Sequence, residues 1–260
     1  MENSEQSTSF YQNNLEKEDE RKNKGVRLDE LISREGIEID KSMDAMLKLM
    51  LEQNDFLSHV EVVTISPEDE PNTDGFFHRV QVGENVFIPT IFIVSENKEH
   101  LQKLKDVRES SAKEVADMLG ISFENMTPNL LRQFIIAHEL GHATDYIKNY
   151  ETNPDFEGAD AAEEWSSHYN ANLYTLPVPG FDPVDLREEM AKFTNLEEFL
   201  LANPDVYRIV KTSNIKTLQD LLNAQELAYR NSSYENYADN FATDFLKKNA
   251  KELKISELVN

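Results

Sequence analysis

The chain predicts an α+β fold: a small antiparallel sheet packed on one long helix, with a mostly helical C-terminal half. Three observations carry this. Between residues 60 and 94, three short runs rich in Val, Ile, Phe and Thr are separated by turn-forming Asp, Asn and Gly. From Thr127-Pro128 onward, Leu131, Phe134, Ile135, His138 and His142 recur at helical spacing. Beyond residue 183, helical periodicity returns in successive short blocks.

The elements follow in order. Residues 1–40 are polar and charge-rich and read as a disordered acidic tail, with a short helix near 28–33. Residues 41–260 form the folded domain. Its first helix is expected over 41–56. Strands are expected over 60–65, 76–82 and 86–94. Asp74-Gly75 and Gly83-Glu84-Asn85 suit hairpin turns, and hence antiparallel pairing. Pro89 interrupts the third run and predicts an edge strand, because proline cannot donate to a ladder. Helices are expected over 96–106, 110–119 and 128–150. Residues 151–182 are rich in Pro, Gly, Asn and Asp and read as a long loop or insertion. Helices then cover 183–193, 196–202, 205–212, 217–230 and 232–250.

The long helix carries the most specific signal, His138-Glu139-Leu140-Gly141-His142. Histidines at i and i+4 project from one side of a helix, one turn apart, so both imidazoles can reach one Zn²⁺. Glu139 follows the first histidine and can face a water on that metal. Thr127 is a suitable N-cap and Pro128 a suitable first residue. The alternative is a pair of core histidines held by hydrogen bonds. Two polar rings on one apolar face are costly to satisfy singly, and one metal satisfies both. Gly141 is a poor interior helix residue. Either a side chain there obstructs substrate or a neighbouring backbone, or the helices simply pack closely.

A catalytic zinc takes three protein ligands and a water. The pattern with a third His or Asp six residues after the second His is excluded, since that position is Lys148, and Asp145 replaces the glycine it needs. Downstream, Ala238, Phe241, Ala242 and Phe245 form an apolar helical face. Glu235 extends that face, and Asp239 lies one turn after it. One carboxylate can bind metal and the other accept the free N–H of a ligand histidine. Glu164, with Glu163 beside it and His168 four residues on, is the rival third ligand. Tyr234 and Tyr237 are candidate donors to a developing oxyanion.

These two segments, His138-Glu139-Leu140-Gly141-His142 and Glu235-x-x-Ala238-Asp239-x-Phe241-Ala242, resemble the gluzincin metallopeptidases. The patterns most like them are the ImmA/IrrE-like proteins and the HtpX/CAAX-prenyl-protease group. The resemblance covers only the two motif helices. The 93-residue gap from His142 to Glu235 is long for the first group, and the second is typically membrane-embedded or exported. It implies a zincin-like fold, one Zn²⁺ held by His138, His142 and Glu235, Glu139 as catalytic base, and Asp239 as support to a ligand histidine. It also implies a peptide or protein substrate held along an edge strand, here the run 86–94; the alternative for that run is a core strand with a bulge at Pro89. The expected function is zinc-dependent peptide hydrolysis. The alternative is a non-proteolytic zinc-fold regulator that binds a protein partner.

Composition narrows the rest. The 260 residues carry a formal net charge of −23, so the surface repels phosphate backbones and nucleic-acid binding is not expected. The chain has no cysteine, which excludes disulfides and thiolate zinc ligands. No apolar run reaches the length of a membrane span, and the first residues lack a signal-peptide pattern. A cytoplasmic protein is the expectation.

Overall fold

In the computed structural model, residues 26–33, 41–69, 73–95, 97–206, 210 and 215–258 are described. The helix expected over 205–212 falls largely outside them, as does most of the tail expected over 1–40. Residues 26–33 are part of the fold rather than tail. Strand β1 (Val26–Arg27) pairs antiparallel with β2 (Glu61–Ile65), and helix α1 (Leu28–Ser33) follows at once. The Leu28 N–H donates to Val60 O at 2.8 Å and its side chain is fully buried. A long-range partner orders a segment whose own composition is too polar to order itself.

The remaining elements are α2 (Lys41–Gln53), β3 (Gly75–Gly83), β4 (Val86–Val94), α3 (Lys98–Val107), α4 (Glu109–Leu119), α5 (Pro128–Tyr146), α6 (Ala159–Leu173), α7 (Pro183–Met190), α8 (Leu196–Ala202), α9 (Leu218–Arg230) and α10 (Ser233–Asn249). The class is α+β, mostly helical, with a small four-stranded sheet. That sheet is mixed, which corrects the antiparallel expectation. Its order is β1-β2-β4-β3, with β2 and β4 parallel and the other pairs antiparallel. The Asp74-Gly75 turn does not fold β3 back onto β2. It delivers the chain past β4 to the far edge, where Asp74 is pinned by Arg132 of α5 at 3.0 Å and the Val94 N–H donates to Asp74 O.

Pro89 therefore lies in a central strand, and β3 and β1 are the edges. The Val94 N–H faces β3 and the Ser95 N–H donates to Ile65 of β2, so the nitrogen of Pro89 faces the β2 side. Pairing with β2 begins only at Thr90, opposite Glu61. The missing donor thus costs no ladder bond.

Helix α5 is the axis of the molecule. Thr127 caps it by accepting from Leu130 N, and Pro128 occupies its first turn. Nearly every residue from Leu130 to Ala143 is buried, between the sheet and α10. The helix passes into a π-helical turn, Ile147–Glu151. The 151–182 stretch is not one long loop, because α6 occupies its centre and packs Trp165 against Phe77 and Tyr146. Helices α7 to α9 form a second apolar cluster around Leu186, Phe199, Leu221 and Leu222. Buried Gln225 ties it to the preceding segment, accepting from Val178 N and donating to Val178 O and Phe181 O.

Candidate metal centre

The crossing of α5 and α10 makes the site. A Cβ on Gly141 would lie 2.8 Å from Ala238 Cα and 3.1 Å from Ala238 O. Only glycine permits that approach, which brings the first turn of α10 against the His138–His142 turn. Ser232 caps α10, accepting from the Glu235 N–H, and so fixes where Glu235 begins the helix.

The side chains converge. His138 Nε2 and His142 Nε2 lie 3.0 Å apart. Glu235 reaches both rings, Oε2 to His138 Nε2 at 3.2 Å and Oε1 to His142 Nε2 at 3.4 Å. All three residues are buried. On the far side of the first ring, His138 Nδ1 donates to Asp239 Oδ1 at 2.8 Å, leaving Nε2 with the lone pair in the neutral ring. Tyr234 stacks on His142 with centroids 4.0 Å apart and holds that ring's plane.

This donor set fits a divalent cation. Tetrahedral ligands about 2.0–2.1 Å from zinc lie roughly 3.3 Å from one another, and the three contacts here span 3.0–3.4 Å. The electrostatics point the same way. Burial opposes a charged His138, yet Glu235 and Asp239 outweigh it and raise the ring to about 10. Burial and the neighbouring His138 push His142 down. Glu235 stands well below the usual carboxylate range, because the two histidines overcome its burial. A carboxylate thus faces both rings in a buried setting, an arrangement that favours a cation between them.

Glu139 faces away from α10, toward the sheet. Burial is the largest influence on its carboxyl and raises it to about 8, against the nearby His138 and a hydrogen bond from the Phe77 N–H. Gly75 packs on Glu139, its position lying 3.6 Å from Glu139 Cγ as a Cβ would sit. Along β3, Asp74, Phe76, His78 and Val80 direct their backbone groups to β4. Gly75, Phe77 and Arg79 direct theirs outward, and of these Gly75 lies against Glu139.

Of the residues singled out from sequence, His138, Glu139, His142, Glu235 and Asp239 are brought together. Glu164 is not: it pairs with His168 at 3.3 Å on the exposed side of α6. Tyr237 is partly exposed, while Tyr234 lies against the His142 ring. Sequence reasoning missed Arg230, whose Nη2 donates to Asp239 Oδ1 at 2.8 Å. It also missed Asp182, which N-caps α7 and lies close enough to feel Glu235 and Arg108. An arginine at the end of a helix reads as an ordinary dipole partner, and nothing in the local pattern pairs it with Asp239. No helix of the described residues is long and apolar enough to cross a membrane. No family model matches the chain, and no curated protein or solved structure matches it.

Proposed function

We propose that the chain is a zinc-dependent peptidase of zincin-like, gluzincin type, with His138, His142 and Glu235 as metal ligands. The observation that carries this is the trio of buried donors spaced 3.0–3.4 Å apart, with the separate buried carboxylate of Glu139 beside it. When bound, zinc polarises a scissile carbonyl and lowers the pKa of a water ligand to about 7. Glu139 takes a proton at its carboxylate and returns it to the leaving amine. Asp239 keeps the His138 proton on Nδ1 and its ring in position.

Strand β3 supports a peptide substrate. Gly75 on this edge lies against Glu139, so an extended chain pairing alongside would pass the base and the metal ligands. The test is Glu139→Gln. This variant keeps the metal and the fold but lowers cleavage of an unbiased peptide library by roughly 10²–10⁴-fold, since Gln cannot accept the proton. Unchanged turnover would overturn the mechanism. Stoichiometric zinc without turnover in either protein would favour the non-proteolytic regulator instead.

A further inference from the structure

We propose that Arg230 is a positioning residue for the metal centre, holding Asp239 so that His138 presents Nε2 to the ion. The inference rests on the metallopeptidase reading above and assigns the centre a further layer. Asp239 Oδ1 receives two donors at once, His138 Nδ1 at 2.8 Å and Arg230 Nη2 at 2.8 Å. Arg230 is itself anchored, since Nη1 donates to Ser111 Oγ at 2.7 Å and its guanidinium lies 5.8 Å from the Phe134 ring. The chain of contacts runs Ser111 of α4, Arg230 of α9, Asp239 of α10 and His138 of α5. Four helices thus determine the orientation of one ligand ring.

The physical need is plain. The Asp239 side chain is only 2 % exposed, and a buried carboxylate without a compensating cation is costly. Arg230 gives that buried oxygen a fixed cationic neighbour, so Oδ1 stays where the His138 Nδ1–H can reach it. The proton shared with His138 then stays on Nδ1. The guanidinium also fixes where Oδ1 lies, because its planar fork is held at two nitrogens by two different helices. Without it, Asp239 is free to turn from the ring, and that loosens His138.

The test is the affinity of the metal-free full chain for Co²⁺ alone, read from the absorption of the bound ion, with circular dichroism as the check of folding. Arg230→Met should weaken Co²⁺ binding by about 10–100-fold, the range seen when partners of ligand histidines are removed. Arg230→Lys should lose less, because it keeps the charge but not the two-point fork. In an Asp239→Ala background, Arg230→Met should change affinity by less than about twofold, since its effect passes through Asp239. A folded Arg230→Met with wild-type affinity overturns the proposal, as does an equal loss in the Asp239→Ala background. Should Arg230→Met fail to fold, Ser111→Ala and Arg230→Lys decide: both must weaken binding, and wild-type affinity in either overturns it. A wild-type chain that binds no Co²⁺ sinks the metallopeptidase reading itself, a result distinct from all of these.

Discussion

Gly141 on α5 and Ala238 on α10 meet backbone to backbone, and that contact sets the distance from the two histidines to Glu235. A methyl group at residue 141 would stand 2.8 Å from Ala238 Cα, closer than two carbons can come without movement. Two effects oppose each other in Gly141→Ala. The helix gains about 1 kcal/mol from the better helix former. Overpacking against a rigid backbone costs typically 1–3 kcal/mol. Overpacking wins, because the atoms it meets are main chain and cannot rotate aside. The variant should be less stable in urea and should also bind Co²⁺ more weakly, since α10 carries Glu235 away from the histidines. A variant more stable than the wild type, with unchanged affinity, would show that the close approach is not needed.

The convergence of these side chains was more legible in the sequence than the sheet. Helical spacing alone puts His138 and His142 on one side of a helix, with Glu139 beside them. Glu235 and Asp239 declare themselves because two carboxylates one turn apart border an apolar face. The sheet depends on what local pattern cannot show. Asp74-Gly75 looks like a hairpin turn, yet a buried ion pair with Arg132, 58 residues away, carries β3 to the far edge. Pro89 looks like an edge residue, and on its β2 side it is locally at an edge, because β2 stops one residue short of it. The α6 helix was hidden by the Pro- and Gly-rich stretches on either side of it, and by a face completed only by Phe77 and Tyr146. Arg230 was invisible for the same reason, as its partners lie on α4 and α10.

His78 gives the fold a dependence on pH that lies outside the metal centre. It stands on the face of β3 turned away from α5, near Phe76 and Val80. Burial, with the Arg79 cation beside it, pushes the imidazole down from 6.5 to about 4. The folded state thus binds the proton less readily than the unfolded chain. The contribution to stability is complete above pH 6.5 and is lost as pH falls toward 4. At about 1.4 kcal/mol per unit the loss reaches at most roughly 3 kcal/mol. His78→Gln should flatten this fall. Unfolding free energies of both proteins, measured in urea from pH 7.5 to 4.5, should converge as pH drops by about 1–3 kcal/mol. Parallel curves would remove His78 from the account.

The last prediction separates the two candidates for the third ligand. Glu235 faces both Nε2 atoms from a buried position, whereas Glu164 lies on the exposed side of α6 and pairs with His168. An exposed pair of this kind contributes little, about 0–1 kcal/mol, so Glu164→Ala should leave both metal binding and stability near wild type. Glu235→Ala removes one of three protein donors and should abolish stoichiometric zinc at equilibrium dialysis. It also leaves His138 and His142 facing each other at 3.0 Å with no anion between them. The metal-free form should therefore change too. Without Glu235 the main force raising His138 toward about 10 is gone, so less charge is held in the core at neutral pH. Histidine ring signals in NMR, followed across pH in metal-free wild type and Glu235→Ala, should show His138 titrating at lower pH in the variant. Retained zinc in Glu235→Ala, with zinc lost in Glu164→Ala, would transfer the ligand to α6 and require a site geometry different from the one described.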